Sequence, residues 1–121
     1  MSKIIDVKIK CPNCGKVKKI SLYRSIWGEY EENRNLVMND EINIFKCPKC
    51  KQEIKVPFSL FYTNANLLFA VWWEPNNDEN IDRDIELYKN TVGVNHYLTT
   101  APRIKDWNEF KEYILYKERG N

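Results

Sequence analysis

Cys11-Pro12-Asn13-Cys14-Gly15 and Cys47-Pro48-Lys49-Cys50-Lys51 contain all four cysteines of the chain, and no other feature limits its folding choices as much. Two residues between paired cysteines let the backbone turn back, so that both thiolates can face one ion. Proline after the first cysteine pre-sets φ for that turn, and Gly15 tolerates the positive φ that follows. Two such knuckles supply a Cys₄ set, the closed donor set of a structural zinc site. The expected cofactor is therefore one structural Zn²⁺, with Cys11, Cys14, Cys47 and Cys50 as metal ligands. The alternatives are two short disulfides or four reduced core thiols. Neither accounts for the duplicated C-P-x-C, and a knuckle turn suits a disulfide poorly. The 32 residues between the pairs exceed the about 15 to 20 of a usual ribbon pattern, so an insert is expected there. Four thiolates leave no vacancy for a water, which points away from metal catalysis.

With 121 residues the chain can build one domain around a modest core. No run approaches the roughly 18 apolar residues of a membrane span, and no membrane partner is expected. The opening Met1-Ser2-Lys3-Ile4-Ile5-Asp6 lacks the apolar stretch of a signal peptide. Thiols committed to metal imply a reducing compartment, with the cytoplasm as default. The net charge of +2 is unevenly spread: residues 1–62 hold 12 Lys+Arg against 7 Asp+Glu, and residues 63–121 hold 7 against 10. The lysines near the knuckles (Lys8, Lys10, Lys16, Lys18, Lys19, Lys46, Lys49, Lys51 and Lys55) either balance a doubly negative metal–thiolate centre or offer a face to phosphates.

Ile5, Val7 and Ile9 alternate with polar residues, the period of a half-buried strand. With residues 16–23 this predicts a hairpin whose turn is the first knuckle. Residues 24–28 read as irregular. Residues 29–40 read as a helical insert closed by Asn39-Asp40. Ile42, Ile44 and Phe45 lead into the second knuckle, and Ile54 and Val56 leave it. Residues 58–62 alternate, 63–66 supply a turn, and Leu67 to Trp73 is apolar on both faces, so this hairpin is expected at the centre of the core. Its aromatics read as packing, with a base-stacking platform as the alternative. Residues 78–90 predict an amphipathic helix opened by Asp78, and residues 91–100 an extended segment. Asp106 and Glu109 form a capping-box pattern at the start of a helix over 106–118, closed by Gly120.

C-P-N-C-G, a short strand, a helical insert, Glu41 to Phe45 leading into C-P-K-C, then Val56-Pro57, Leu60-Phe61-Tyr62 and Trp73-Glu74-Pro75 resemble the CpXC domain family of bacterial and archaeal proteins, named for the paired motif. The resemblance spans about residues 9–75, and 104–116 looks like a helix that often follows that domain. Lys51, where the family usually has glycine, and residues 30–38 depart from the pattern. The resemblance implies a Cys₄ zinc site and its fold, and transfers no activity. The expectation is an α+β protein. It has a zinc-ribbon-like antiparallel β-sheet, a helical insert between the knuckles and C-terminal helices. Residues 1–121 form a single domain, with a core over 9–75 and a helical extension over 76–121.

Function divides three ways. A zinc-stapled scaffold can present the aromatic hairpin edge and C-terminal helix to a protein partner or a second copy. The basic knuckle face can bind nucleic acid. Cys–His or Ser–His–Asp catalysis would have to pass through His96, the only histidine, which sits in no nucleophile motif. No Gly-rich phosphate loop is present, and no small-molecule substrate is indicated. The sequence favours a non-enzymatic protein-interaction module, with nucleic-acid binding as the alternative.

Overall fold

The computed structural model describes residues 3–120, so residues 1, 2 and 121, the ends of the expected 1–121 domain, lie outside the described residues. The alternating segment Ile4–Lys10 forms β1, which pairs antiparallel with β2 (Val17–Tyr23) through the first knuckle. Ile5, Val7 and Ile9 share one half-buried face, and Lys8 and Lys10 share the exposed one. β4 (Ile44–Lys46) and β5 (Glu53–Lys55) pair antiparallel around the second knuckle. Between the two ribbons lie β3 (Ser25–Trp27) and α1 (Glu31–Met38).

The remaining chain supplies the main core. β6 (Leu60–Asn64) and β7 (Phe69–Trp73) form the expected central hairpin. Two short strands flank it in parallel: β3 beside β6, and β8 (Arg103–Ile104) beside β7. The sheet order β3-β6-β7-β8 is thus mixed. Helices cover both faces, which is why Leu60 to Trp73 contains so little polar alternation. Tyr62, Val71 and Trp73 pack with Phe110 and Ile114 of α3 (Trp107–Glu118) and with Val37 of α1. Phe61, Ala70 and Trp72 pack with Ile81 of α2 (Glu79–Val92). Each large apolar side chain fully removed from water contributes about 1.5–3 kcal/mol. The Phe61 and Trp72 rings stack with centroids 4.0 Å apart. The hairpin aromatics Phe61, Tyr62, Phe69, Trp72 and Trp73 are buried, which makes them core and leaves no stacking platform there.

Among the described residues the architecture is α+β, with three helices, antiparallel pairings in both ribbons and in the central hairpin, and a four-stranded sheet separate from the ribbons. Several local expectations are corrected. Residues 25–27 are a strand rather than irregular. The β6–β7 turn lies at 65–68, two residues later than expected, and leaves Leu67 and Leu68 exposed. Residues 91 and 92 complete α2, and 94–100 fold as turns instead of an extended segment. Helix starts follow the sequence closely. Asp78 accepts a hydrogen bond from the Asn80 amide, and Asp106 accepts one from the Glu109 amide at 2.9 Å. Such caps satisfy donors that the first helical turn cannot pair internally.

Partly buried ion pairs fasten α2 to the sheet. Glu74 receives two bonds from Arg103, at 2.9 and 2.7 Å, and Arg103 also donates to Asp82. Arg24 donates to Asp78 and Asp84 and lies over the Trp72 ring. The Arg103 guanidinium holds the Glu74 carboxyl below its usual range despite partial desolvation.

Candidate metal centre

Each knuckle folds by the same two backbone hydrogen bonds. Gly15 N donates to Cys11 O and Cys11 N to Lys16 O, both at 2.8 Å. Lys51 N donates to Cys47 O at 3.0 Å and Cys47 N to Gln52 O at 2.9 Å. The residue after the second cysteine takes positive φ in both turns, +79° at Gly15 and +66° at Lys51. Lys51 pays the Cβ cost that Gly15 avoids, about 1 kcal/mol for an L residue in this region. Its ammonium donates to Pro48 O at 3.2 Å and stays at the turn. Lys51→Gly is expected to stabilise the protein by about 0.5–1 kcal/mol, the relief of strain being partly offset by a more flexible unfolded chain. A thermal melt that moves downward would show that the lysine side chain outweighs the strain.

The two ribbons bring the knuckles face to face. Cys14 Sγ lies 3.4 Å from Cys47 Sγ, and Cys11 Sγ lies 3.5 Å from Cys50 Sγ. All four sulfurs fall within 4.8 Å of one another. A tetrahedral ion with metal–sulfur bonds of about 2.3 Å requires sulfur–sulfur edges of roughly 3.8 Å. The observed spacing brackets that value, so the donor set fits a single ion. Cys11 and Cys47 are buried, and Cys14 and Cys50 are half-buried.

The surroundings favour thiolates unequally. Amides of Cys50 and Lys49 point at Cys47 and, against burial, bring its thiol down to about 6. The Asn13 side chain reaches across the gap and lowers Cys50, assisted by the Gln52 amide. At Cys14 the Lys16 amide favours the thiolate, but contact with Cys47, burial and the other two sulfurs outweigh it and push the thiol up to about 11. Neighbouring sulfurs that compete for charge in this way are relieved by a shared cation, whose binding must then release protons.

Besides the sulfurs, a small apolar cluster and one buried asparagine join the ribbons. Their shared cluster has one large fully buried side chain, Phe45, ringed by Ile9, Ile20, Ile54 and Val56 and by the cysteines themselves. At the far end Asn43 acts as a strut. Its side chain accepts from Tyr23 N at 2.7 Å and donates to Tyr23 O at 3.0 Å, and its carbonyl accepts from Val56 N. This buried amide joins β2 to the second ribbon in the manner of a strand partner. Sequence reasoning missed Asn43 and Asn13; an asparagine beside a turn carries no local mark of a distant partner.

The lysine face is smaller than the sequence suggested. Lys46 pairs with Glu53 at 3.4 Å, and Lys55 is half-buried. Lys8 stands directly opposite Lys19 in the β1–β2 register, with Lys10 on the same exposed face. Only a 4.0 Å approach to Asp6 offsets Lys19. His96 accepts from Leu98 N at 3.2 Å through Nδ1 and stacks on Tyr97.

A family model described as CpXC protein matches residues 9–120, nearly the whole chain and well beyond the 9–75 carried by the motifs alone. No curated protein and no solved structure matches the chain.

Proposed function

The chain belongs to the CpXC family, and from that premise we propose that it is a zinc-stabilised, non-enzymatic protein-interaction module of a reducing compartment such as the cytoplasm. Cys11, Cys14, Cys47 and Cys50 would hold one Zn²⁺ as a structural cross-link between two facing hairpins, in a zinc-ribbon-like arrangement. Four thiolates are the donor set that suits zinc best among common divalent ions, and they close its coordination.

One surface supports the interaction reading. The shifted β6–β7 turn leaves Leu67 and Leu68 exposed by 50% and 66%. Leu68 borders a cleft of about 230 Å³ whose other walls include Tyr97, Pro102, Tyr113 and Lys117. An exposed apolar rim suits an apolar side chain of another protein, or of a second copy, with Thr100 and Lys117 of the cleft as polar neighbours. The aromatic hairpin itself is buried, so the contact surface is its turn and the flank of α3. Non-enzymatic use is supported by His96, whose Nδ1 is occupied by a backbone amide.

A second reading rests on Lys8 facing Lys19. Like charges directly opposite each other on a ribbon are destabilising, and a polyanion would relieve them. A photo-reactive side chain at Leu68 is expected to cross-link a protein, and one at Lys8 is not. Absence of a product from Leu68, combined with duplex DNA binding that drops at least tenfold from about 50 to about 200 mM salt, would overturn the first reading for the second.

A further inference from the structure

Asp40, Glu41, Ile44, Lys46, Glu53, Ile54 and Lys55 line an open cleft of about 330 Å³. Lys55 is the unusual wall. Its amine lies 3.4 Å from the Trp107 ring centroid and 5.2 Å from that of Trp73, and it donates to Ile42 O at 3.0 Å. The nearest acid, Asp40, is already engaged: its Oδ1 accepts from Trp107 Nε1 at 2.6 Å and from Lys111 Nζ at 2.8 Å. Among the described residues Lys55 has no ion-pair partner, whereas Lys46 across the cleft is paired with Glu53.

We propose that Lys55 is a nucleophilic amine that forms an imine with small uncharged aldehydes or ketones entering this cleft. The geometry gives it the three things such a site needs. An aromatic shelf holds the side chain in place. An open cavity of small-molecule size admits the carbonyl compound. Among the described residues no carboxylate stands within ion-pair distance, so the amine is held by Ile42 O and the indole faces instead of by a salt bridge. The charge of the walls selects the class. Three carboxylates, Asp40, Glu41 and Glu53, stand against Lys46 and Lys55, so anionic acyl donors are repelled while neutral carbonyl compounds are not.

In the reaction the nitrogen lone pair attacks the carbonyl carbon, a C=N bond replaces C=O, and the oxygen leaves as water carrying the two protons of the amine. No oxidant or reductant is consumed. The groups facing the amine oppose one another. Burial lowers its pKa to about 8, Lys111 acts in the same direction, and Asp40 and the indole faces favour the ammonium. At pH 7 an amine of that kind is about one-tenth unprotonated, against roughly one part in 2,500 for an ordinary lysine near 10.4. Lower intrinsic nucleophilicity and partial burial offset part of this advantage.

The test uses the full-length, metal-loaded chain with acetaldehyde as probe and cyanoborohydride to trap the imine, followed by peptide mapping of each lysine over time. Lys55 is expected to be alkylated at least about tenfold faster than the exposed Lys46 and Lys49 at pH 7, with a rate that rises through a midpoint near pH 8. The fast phase should vanish in Lys55→Arg. Modification of Lys55 at or below the rate of Lys46, or a midpoint above about 10, would overturn the proposal. The result is independent of the interaction reading, since neither Leu68 nor the cysteines take part.

Discussion

Cys11→Ser and Cys47→Ser are each expected to lose soluble, folded protein. Both side chains are buried between the ribbons, next to Phe45, the fully buried large side chain of that cluster. The ribbons hold seven and three residue pairs, too few to stand alone in water. On the proposed reading the missing stabilisation comes from a bound ion, which in structural sites supplies on the order of 10 kcal/mol of apparent binding free energy at neutral pH. That is comparable with the whole net stability of a domain, about 5–15 kcal/mol. Serine keeps the approximate shape but loses the soft thiolate and buries a hydroxyl in the apolar cluster, so both effects act in the same direction. An unchanged melting curve for either variant would show that the apolar cluster suffices without the cross-link.

Gly28→Ala is the second large effect, and it acts far from the knuckles. The Gly28 backbone lies flat against the fully buried Tyr62 ring. A Cβ at this position would overlap Tyr62 Cζ, Oη and Cε1. Neither partner is free to move. Gly28 N donates to Thr63 O at 2.6 Å, and Tyr62 Oη donates to Gly28 O at 3.3 Å. The ring is also wedged edge-on against Phe110. Overpacking of this kind costs typically 1–3 kcal/mol, and a rigid site puts it near the top, about 3 kcal/mol. For a chain of this length that corresponds to a fall in Tm on the order of 10 °C or more in calorimetry. A shift within about 2 °C would mean that β3 can slide away from Tyr62 at little cost.

What could be read from the chain was what local spacing encodes. The knuckles announce themselves because both ligands of each pair, and the turn that aims them, lie within five residues. The helix at Trp107 announces itself through the Asp106 cap. Leu60 to Trp73 was legible as buried hairpin because a sheet covered on both faces needs no polar alternation. The misplaced turn is instructive. Leu67 and Leu68 look like strand, yet Asn64 Oδ1 accepts from the Asn66 and Leu67 amides at 3.0 and 2.9 Å and starts the turn there. The asparagine outweighed the hydropathy, leaving two leucines in solvent, and that is the feature on which the proposed contact surface rests. Residues 94–100 misled in the same way. The Thr99 hydroxyl bonds to Val94 O and His96 O and curls a segment that valines had suggested was extended. β3 and β8, of three and two residues, exist only because a partner strand lies beside them. No local pattern of that length can specify a non-local parallel pair.

Lys51 shows the opposite case, a departure from pattern that left geometry unchanged. The backbone adopts positive φ with a lysine where the first knuckle has glycine. Closure of the second turn by its two hydrogen bonds, together with the placing of Cys47 and Cys50 beside the first knuckle's sulfurs, is worth more than the strain.

The most direct test of the metal-centred account is native mass spectrometry of the purified chain, with and without a strong chelator, coupled to titration of free thiols. The account predicts one zinc per chain and no reactive thiol before chelation. Afterwards it predicts four reactive thiols and a collapse of the two-ribbon unit. A chain that carries no metal yet keeps its fold, with its cysteines free or paired as disulfides, would contradict it.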